Sequence, residues 1–413
     1  MEIRFLGGCN EVGRSAILID GKVLLDYGMK PADVPEFPVG EAFPEVVVVS
    51  HAHLDHSGVV PNLMRSSPSV YMTPVTRELL YILCKDTLKL GKEQGICVFD
   101  KRDLNDLMNY AFMMPYRERF WSSGYEFELY DAGHIPGSAS VHVRSERDDL
   151  NLFYTGDIKL EDTRLLKGAD INPPETDVLI IESTYFGEKH PDRRELEERF
   201  VASVEETLDA GGNAIVPCFA VGRTQEMVMI LHAHGITPYV DGMGLSVLRK
   251  IKKHLSFMRD GEALVEAFKD ARFVTPKSRK KVLSEPSVVV TTAGMLNGGP
   301  ALYYLERIKD DPRSKILLTG YQIEGTNGRR LLEEGVIELN GGTVKVKAQV
   351  EQYDFSAHAD DSDLKMLIER FCERGVEYVF TVHGENAAAF AAWIRENFDC
   401  QSFAPNLGES FVI

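Results

Sequence analysis

The stretch VVVVSHAHLDHSG, residues 46–58, sets four valines in a row and then places three histidines and an aspartate within six positions, 51–56. A continuous β-branched run reads as a strand covered on both faces. Polar groups crowded at its end mark the point where the chain leaves the sheet, and open α/β sheets build their sites there. The spacing His-x-His-x-Asp-His lets one turn aim His51 and His53 at one point, and Asp55 and His56 at a neighbouring one. Mixed nitrogen and oxygen donors of this kind suit Zn2+.

Other apolar runs read the same way: 177–183, 213–218, 287–292, 315–320 and 378–384. Helical patterns lie between them. Leu196, Phe200, Val204 and Leu208 recur every four residues before Gly211 and Gly212, which supply a stop. RTQEMVMILHAHG and the stretch holding Leu364, Leu367, Ile368 and Phe371 are further helices. Strands alternating with helices predict an α/β architecture. No Pro/Gly/Ser-rich linker separates domains, so a second domain is expected as an insertion.

More donors follow other strand-like runs. His134 sits in the Gly-flanked DAGHIPG, Asp157 follows FYTG, and His383 precedes Gly384. Taken singly, either histidine reads equally as a loop residue and Asp157 as a turn cap. Together they repeat one pattern, a strand followed by a Gly-flanked ligand. Asp26 after VLL fits a role in orienting ligands through hydrogen bonds, or a plain turn.

Composition narrows the classes. The 413 residues are enough for two domains or more. A net charge of −17 argues against a bulk electrostatic nucleic-acid binder, though not against a local basic groove. Six scattered cysteines without a CxxC pair suggest neither a zinc knuckle nor a disulfide framework, and point to a reducing cytoplasm. No apolar run is long enough for a membrane span, and MEIRFLGGCNEVGRS does not read as a signal peptide. GGCNEVG is not a GxGxxG fingerprint, and no Gly-Lys-Ser/Thr marks a P-loop.

HAHLDH with His134, Asp157 and Asp26 resembles the metallo-β-lactamase-fold hydrolases. IIESTY (180–185), FSAHAD (355–360) and TVHGE (381–385) resemble three motifs of the β-CASP nucleases. CFAVGRTQEM (218–227), TTAGMLNGGP (291–300) and TGYQIEGTNGRR (319–330) resemble their inserted domain. GCNEVGRSAILI (8–19) and HAHLDHSG resemble the cleavage-and-polyadenylation-specificity-factor branch, in its archaeal form, more than the RNase J branch. The resemblance implies a metallo-β-lactamase αββα sandwich, residues 1–188 and 347–413, with an inserted α/β β-CASP domain at 189–346. It implies one zinc on His51, His53 and His134, a second on Asp55, His56 and His383, and Asp157 bridging the two. Since the first strand reads from Met1, no room for KH modules is expected, and a partner protein is expected to assist RNA binding.

The expected chemistry is hydrolysis of RNA phosphodiesters by a hydroxide activated between two metals. The resemblance supports His358 as general acid and Glu182 as the carboxylate that orients it and raises its pKa, with Asp55 and Asp157 completing the catalytic set. From the residues alone, Glu182 reads equally as a cap and His358 as a helix-start residue. Arg223, at a helix start, is a candidate phosphate ligand, with Arg329 and Arg330 beside it in the candidate set. Basic clusters at 249–253 and 277–281 are either an electropositive rim or solvated helix faces. The leading expectation is endonucleolytic cleavage of single-stranded RNA. The alternatives are a 5′→3′ exonuclease, a non-catalytic processing scaffold, and a small-molecule hydrolase. The apolar FAPNLGESFVI at the end offers a further strand or a homodimer contact.

Overall fold

The valine run forms the strand Val46–Val48, buried throughout, and pairs in parallel with Val23–Leu25 on one side and Ser69–Met72 on the other. The computed structural model describes residues 1–30, 34–172, 174–339 and 341–413. The chain forms two units: one of residues 1–162, 167–189 and 357–413, the other of residues 163–166 and 190–356.

The first unit stacks two seven-stranded sheets. Period-two alternation sorts the side chains of the second sheet between two cores. Leu152, Tyr154, Val178 and Ile180 face inward and join Ile3, Phe5, Val46 and Val48 of the first sheet. Phe153, Leu179 and Ile181 face outward against Leu364, Leu367, Phe390 and Ile394. Those residues come from the helices Asp361–Glu373 and Ala387–Asn397. On the other side the helix Lys101–Tyr110 packs at the strand Ser69–Met72. The layering is therefore αββα, as expected. The C-terminal strand Ser410–Val412 pairs with Glu2–Gly7, so the apolar terminus supplies a strand at the edge of the first sheet.

The second unit holds a six-stranded parallel sheet. Its order is Arg272–Phe273, Tyr239–Asp241, Val288–Thr291, Ala214–Pro217, Lys315–Leu318, Gln349–Gln352. The helix Arg193–Asp209 buries Leu196, Phe200 and Val204, and Asp192 caps its start. Gln349–Gln352, assigned from the sequence to the resumed first domain, pairs with Lys315–Leu318 of this sheet instead. None of its four residues is buried, as suits an edge strand, and the chain returns to the first unit at Ala357. Residues 163–166 join the second unit through the Arg164–Glu197 ion pair. Among the described residues no helix is long and apolar enough to cross a membrane.

Candidate metal centre

Five polar residues lie at or just beyond the C-terminal ends of parallel strands of the first unit. Asp26 follows Val23–Leu25, His51 follows Val46–Val48, and Asp157 follows Asn151–Tyr154. Glu182 ends Val178–Glu182, and His383 follows Tyr378–Val382. His134 lies in the turn after Tyr125–Asp131. His53 directly precedes the one-turn helix Leu54–Ser57, which carries Asp55 and His56. Asp26 (φ 59°) and His383 (φ 51°) both adopt left-handed backbone, a costly conformation for side chains other than glycine. Gly28 must be glycine, because a Cβ there would meet the Asp55 carbonyl oxygen at 1.7 Å.

These side chains converge on Asp157, which is 2% exposed. Donor atoms of His51, His53, His134 and Asp157 all lie within 4.8 Å of one another, as do those of His56, Asp157 and His383, and those of His51, Asp55 and His56. Asp157 Oδ2 is 3.5 Å from His51 Nε2 and 3.6 Å from His134 Nε2. Its Oδ1 is 3.1 Å from His56 Nε2 and 3.6 Å from His383 Nε2. His383 Nε2 is 3.7 Å from Asp55 Oδ2. All seven expected metal ligands are thus brought together.

The far ring nitrogens are held. His56 Nδ1 donates to Asp26 Oδ2 at 2.7 Å, and His134 Nδ1 donates to the Ala357 carbonyl at 2.8 Å. Ser15 Oγ lies 2.9 Å from His383 Nδ1, and Ser50 Oγ 3.1 Å from His51 Nδ1. Such contacts fix tautomer and ring orientation and leave Nε2 facing the cluster. Asp26 also accepts from Ser50 N, Ser50 Oγ and Tyr154 OH, so its carboxylate is fully engaged. Ser15, Ser50 and Tyr154 were not picked out from the sequence. Only Ser50, directly before HAHLDH, and Tyr154, three residues before Asp157, carried a positional hint.

The donor set fits a divalent cation. His51 Nε2 and His383 Nε2 are buried without hydrogen-bond partners, an arrangement that an acceptor lone pair tolerates when a cation faces it. Burial, together with neighbouring imidazoles, holds His51 and His134 well below the ordinary histidine range, hence neutral as ligands must be. Burial alone would raise the Asp157 carboxyl, but His383, His56 and His51 outweigh it and hold the group well down. Asp26→Asn should cost about 10–100-fold in metal affinity, the usual penalty for losing a partner behind a ligand. Titration of the metal-stripped protein with zinc would measure it.

Glu182 and His358 form a pair against this cluster. His358 Nδ1 lies 3.0 Å from Glu182 Oε2, and its ring centroid is 4.6 Å from that of His134. Asp157 groups with both. Ile158 N and Thr184 Oγ1 also donate to Glu182, which fixes its carboxylate. Burial opposes the His358 charge, but the Glu182 carboxylate and its hydrogen bond, then Asp157 and Asp55, push it up to about 9.

Arg223, Arg329 and Arg330 lie in the second unit, and each already has a carboxylate. Arg223 is buried and bonds Glu226 at 2.5 Å. Arg329 pairs with Glu333 and Arg330 with Glu338. In the 277–281 cluster, Arg279 pairs with Asp241.

A sheet sandwich with a histidine–aspartate cluster at its strand ends is the arrangement of a metal-dependent hydrolase of the metallo-β-lactamase fold. Residues 224–331 match the Beta-Casp domain, and residues 343–405 match the Zn-dependent metallo-hydrolase RNA specificity domain. The chain belongs to the β-CASP ribonuclease family of that fold. It is 36% identical to the probable RNase MJ4 of Methanocaldococcus jannaschii, over 100% of both chains. It is 34% identical to RNase aCSPSF2 of Saccharolobus solfataricus, over 100% of this chain and 85% of that one. The transcription termination factor FttA of Methanocaldococcus jannaschii is 34% identical over 98% of this chain and 70% of its own length. A crystal structure of a protein of unknown function from Enterococcus faecalis shares the fold, with TM-score 0.62, 14% identity, and coverage of 100% of this chain and 99% of that one.

Proposed function

We propose that this chain is an endoribonuclease that hydrolyses single-stranded RNA with two divalent ions, zinc by the chemistry of the donors. One observation carries the reading: His51, His53 and His134 group with the buried Asp157, His56 and His383 group with it too, Asp55 groups with His51 and His56, and a Glu182–His358 pair adjoins that same aspartate. When bound, the ions supply Lewis-acid polarisation of the phosphate and a water activated near neutral pH. Asp157 is shared between the sets, with His51, His53 and His134 on one side and Asp55, His56 and His383 on the other. Asp26, Ser15, Ser50 and the Ala357 carbonyl hold the imidazoles in register. His358, oriented at Nδ1 by Glu182, delivers a proton to the departing 3′-oxygen. The names of the relatives, and the RNA specificity domain matched at 343–405, support RNA as the substrate.

Arg329 and Arg330 belong to this reading as phosphate-binding cations, because partly exposed ion pairs exchange at little cost. Arg223, buried on Glu226, serves the turn that it starts. Incubation of the metal-loaded chain with labelled circular and linear RNA tests the mode of cutting. Linearisation of the circle is the expected result. An intact circle beside a linear strand trimmed from its 5′ end would replace this reading with the exonuclease.

The proton donor has its own test. A general acid works only while protonated, so the rate holds below its pKa and falls as pH rises through it. Glu182→Gln removes the carboxylate that does most to raise His358. The alkaline fall in the pH–rate profile should therefore move to lower pH. An unmoved limb would assign the proton to another group.

A further inference from the structure

In the second unit's parallel sheet, the chain leaves two neighbouring strands in opposite directions. From Ala214–Pro217 the chain runs through the helix Arg223–Ala233 to Tyr239–Asp241, toward one edge of the sheet. From Lys315–Leu318, the neighbouring strand, it runs through the helix Asn327–Glu334 to Gln349–Gln352, toward the other edge. Right-handed crossovers leaving in opposite directions put their helices on opposite faces and open a crevice between the two strand ends. Consistently, Leu331 of the second helix packs on one face of the sheet with Ile215, Ile316 and Leu318, a core cluster in which the first helix has no member.

Two aromatic rings stand at that opening. Phe219, two residues beyond Ala214–Pro217, is 42% exposed, and Tyr321, three beyond Lys315–Leu318, is 51% exposed. Bare backbone flanks Phe219: a Cβ on Gly320 would lie 3.7 Å from its ring, and one on Gly294 would lie 3.0 Å from its amide nitrogen. Arg329 lies in the first turn of the helix Asn327–Glu334, which follows the Tyr321 loop. Exposed aromatic faces beside a guanidinium, over backbone without side chains, match the composition that stacks single-stranded bases. A protein core would instead bury such rings.

We propose that this crevice holds one nucleotide of a single-stranded RNA, its base stacked on Phe219 and Tyr321 and its phosphate toward Arg329. The proposal rests on the ribonuclease reading for the identity of the strand. Binding of a short labelled single-stranded RNA is measured by fluorescence anisotropy on the metal-loaded full chain carrying His358→Ala, which slows cutting. Adding Phe219→Ala or Tyr321→Ala should weaken binding by roughly 5- to 150-fold, the span of one lost stack. Phe219→Trp should restore it, and Phe219→Leu, apolar without a ring, should not. Trp121→Ala, an exposed aromatic of the first unit, should leave affinity unchanged. Melting temperature and metal content confirm that each variant folds.

Variants that keep the parent's RNA affinity would overturn the proposal and leave the rings to a protein contact. Free adenosine monophosphate binding as tightly as the oligomer, with the same dependence on Phe219, would overturn RNA as the occupant. Failure of the ribonuclease reading looks different: the chain with His358 intact would leave RNA uncut while oligomer binding still depended on Phe219.

Discussion

Asp157→Ala is expected to empty the centre of metal and abolish cleavage together. The carboxylate has Oδ2 toward His51 and His134 and Oδ1 toward His56 and His383. Removing it takes away the one carboxylate that His51, His134, His56 and His383 share, and leaves Asp55 and Asp26 at the His56 and His383 side alone. Losing a partner behind a ligand costs about 10–100-fold in metal affinity, so losing the shared ligand should exceed that at both positions. Metal analysis after dialysis should find well below the parent content, and RNA cleavage should fall to background. Full metal content in the variant would remove Asp157 from its bridging place, whatever the activity.

His358→Ala is expected to do the opposite to metal and nearly the same to rate. The ring faces Glu182 and His134 but belongs to neither ligand set, so metal content should match the parent. Loss of a positioned general acid slows a reaction by roughly 10²–10⁴-fold. The loss should shrink with RNA analogues whose leaving atom needs no proton, such as a 3′-bridging phosphorothiolate. An equal loss on that analogue would make His358 structural.

The seven clustered donors were legible because their signal is dense. Three histidines within six positions after a valine run admit few other readings, and strand-end placement gathered His134, Asp157 and His383 around them. Glu182 and His358 were legible only through resemblance. A glutamate at a strand end and a histidine before Ala359–Asp360 carry no local mark, and 176 positions separate the pair. Ser15 was invisible for the same reason, since its hydroxyl meets His383 across 368 positions. Hydroxyl residues are common, and their partners are decided by how sheets stack. Arg223 shows a signal passed over. Glu226 stands three residues on, the helical spacing for an ion pair, and its carboxylate now occupies the guanidinium expected to meet phosphate. The strand Gln349–Gln352 was misassigned because four mostly polar, unburied residues fit an edge strand of either domain.

The most direct measurement follows RNA cleavage and bound metal together in one preparation, as chelator strips the chain and zinc is returned. Cleavage should fall in step with metal loss, return as zinc rebinds, and reach its full rate at two ions per chain. A stripped chain that cuts at the parent rate, or a chain holding two ions that leaves every RNA intact, would contradict a metal-built ribonuclease centre around Asp157.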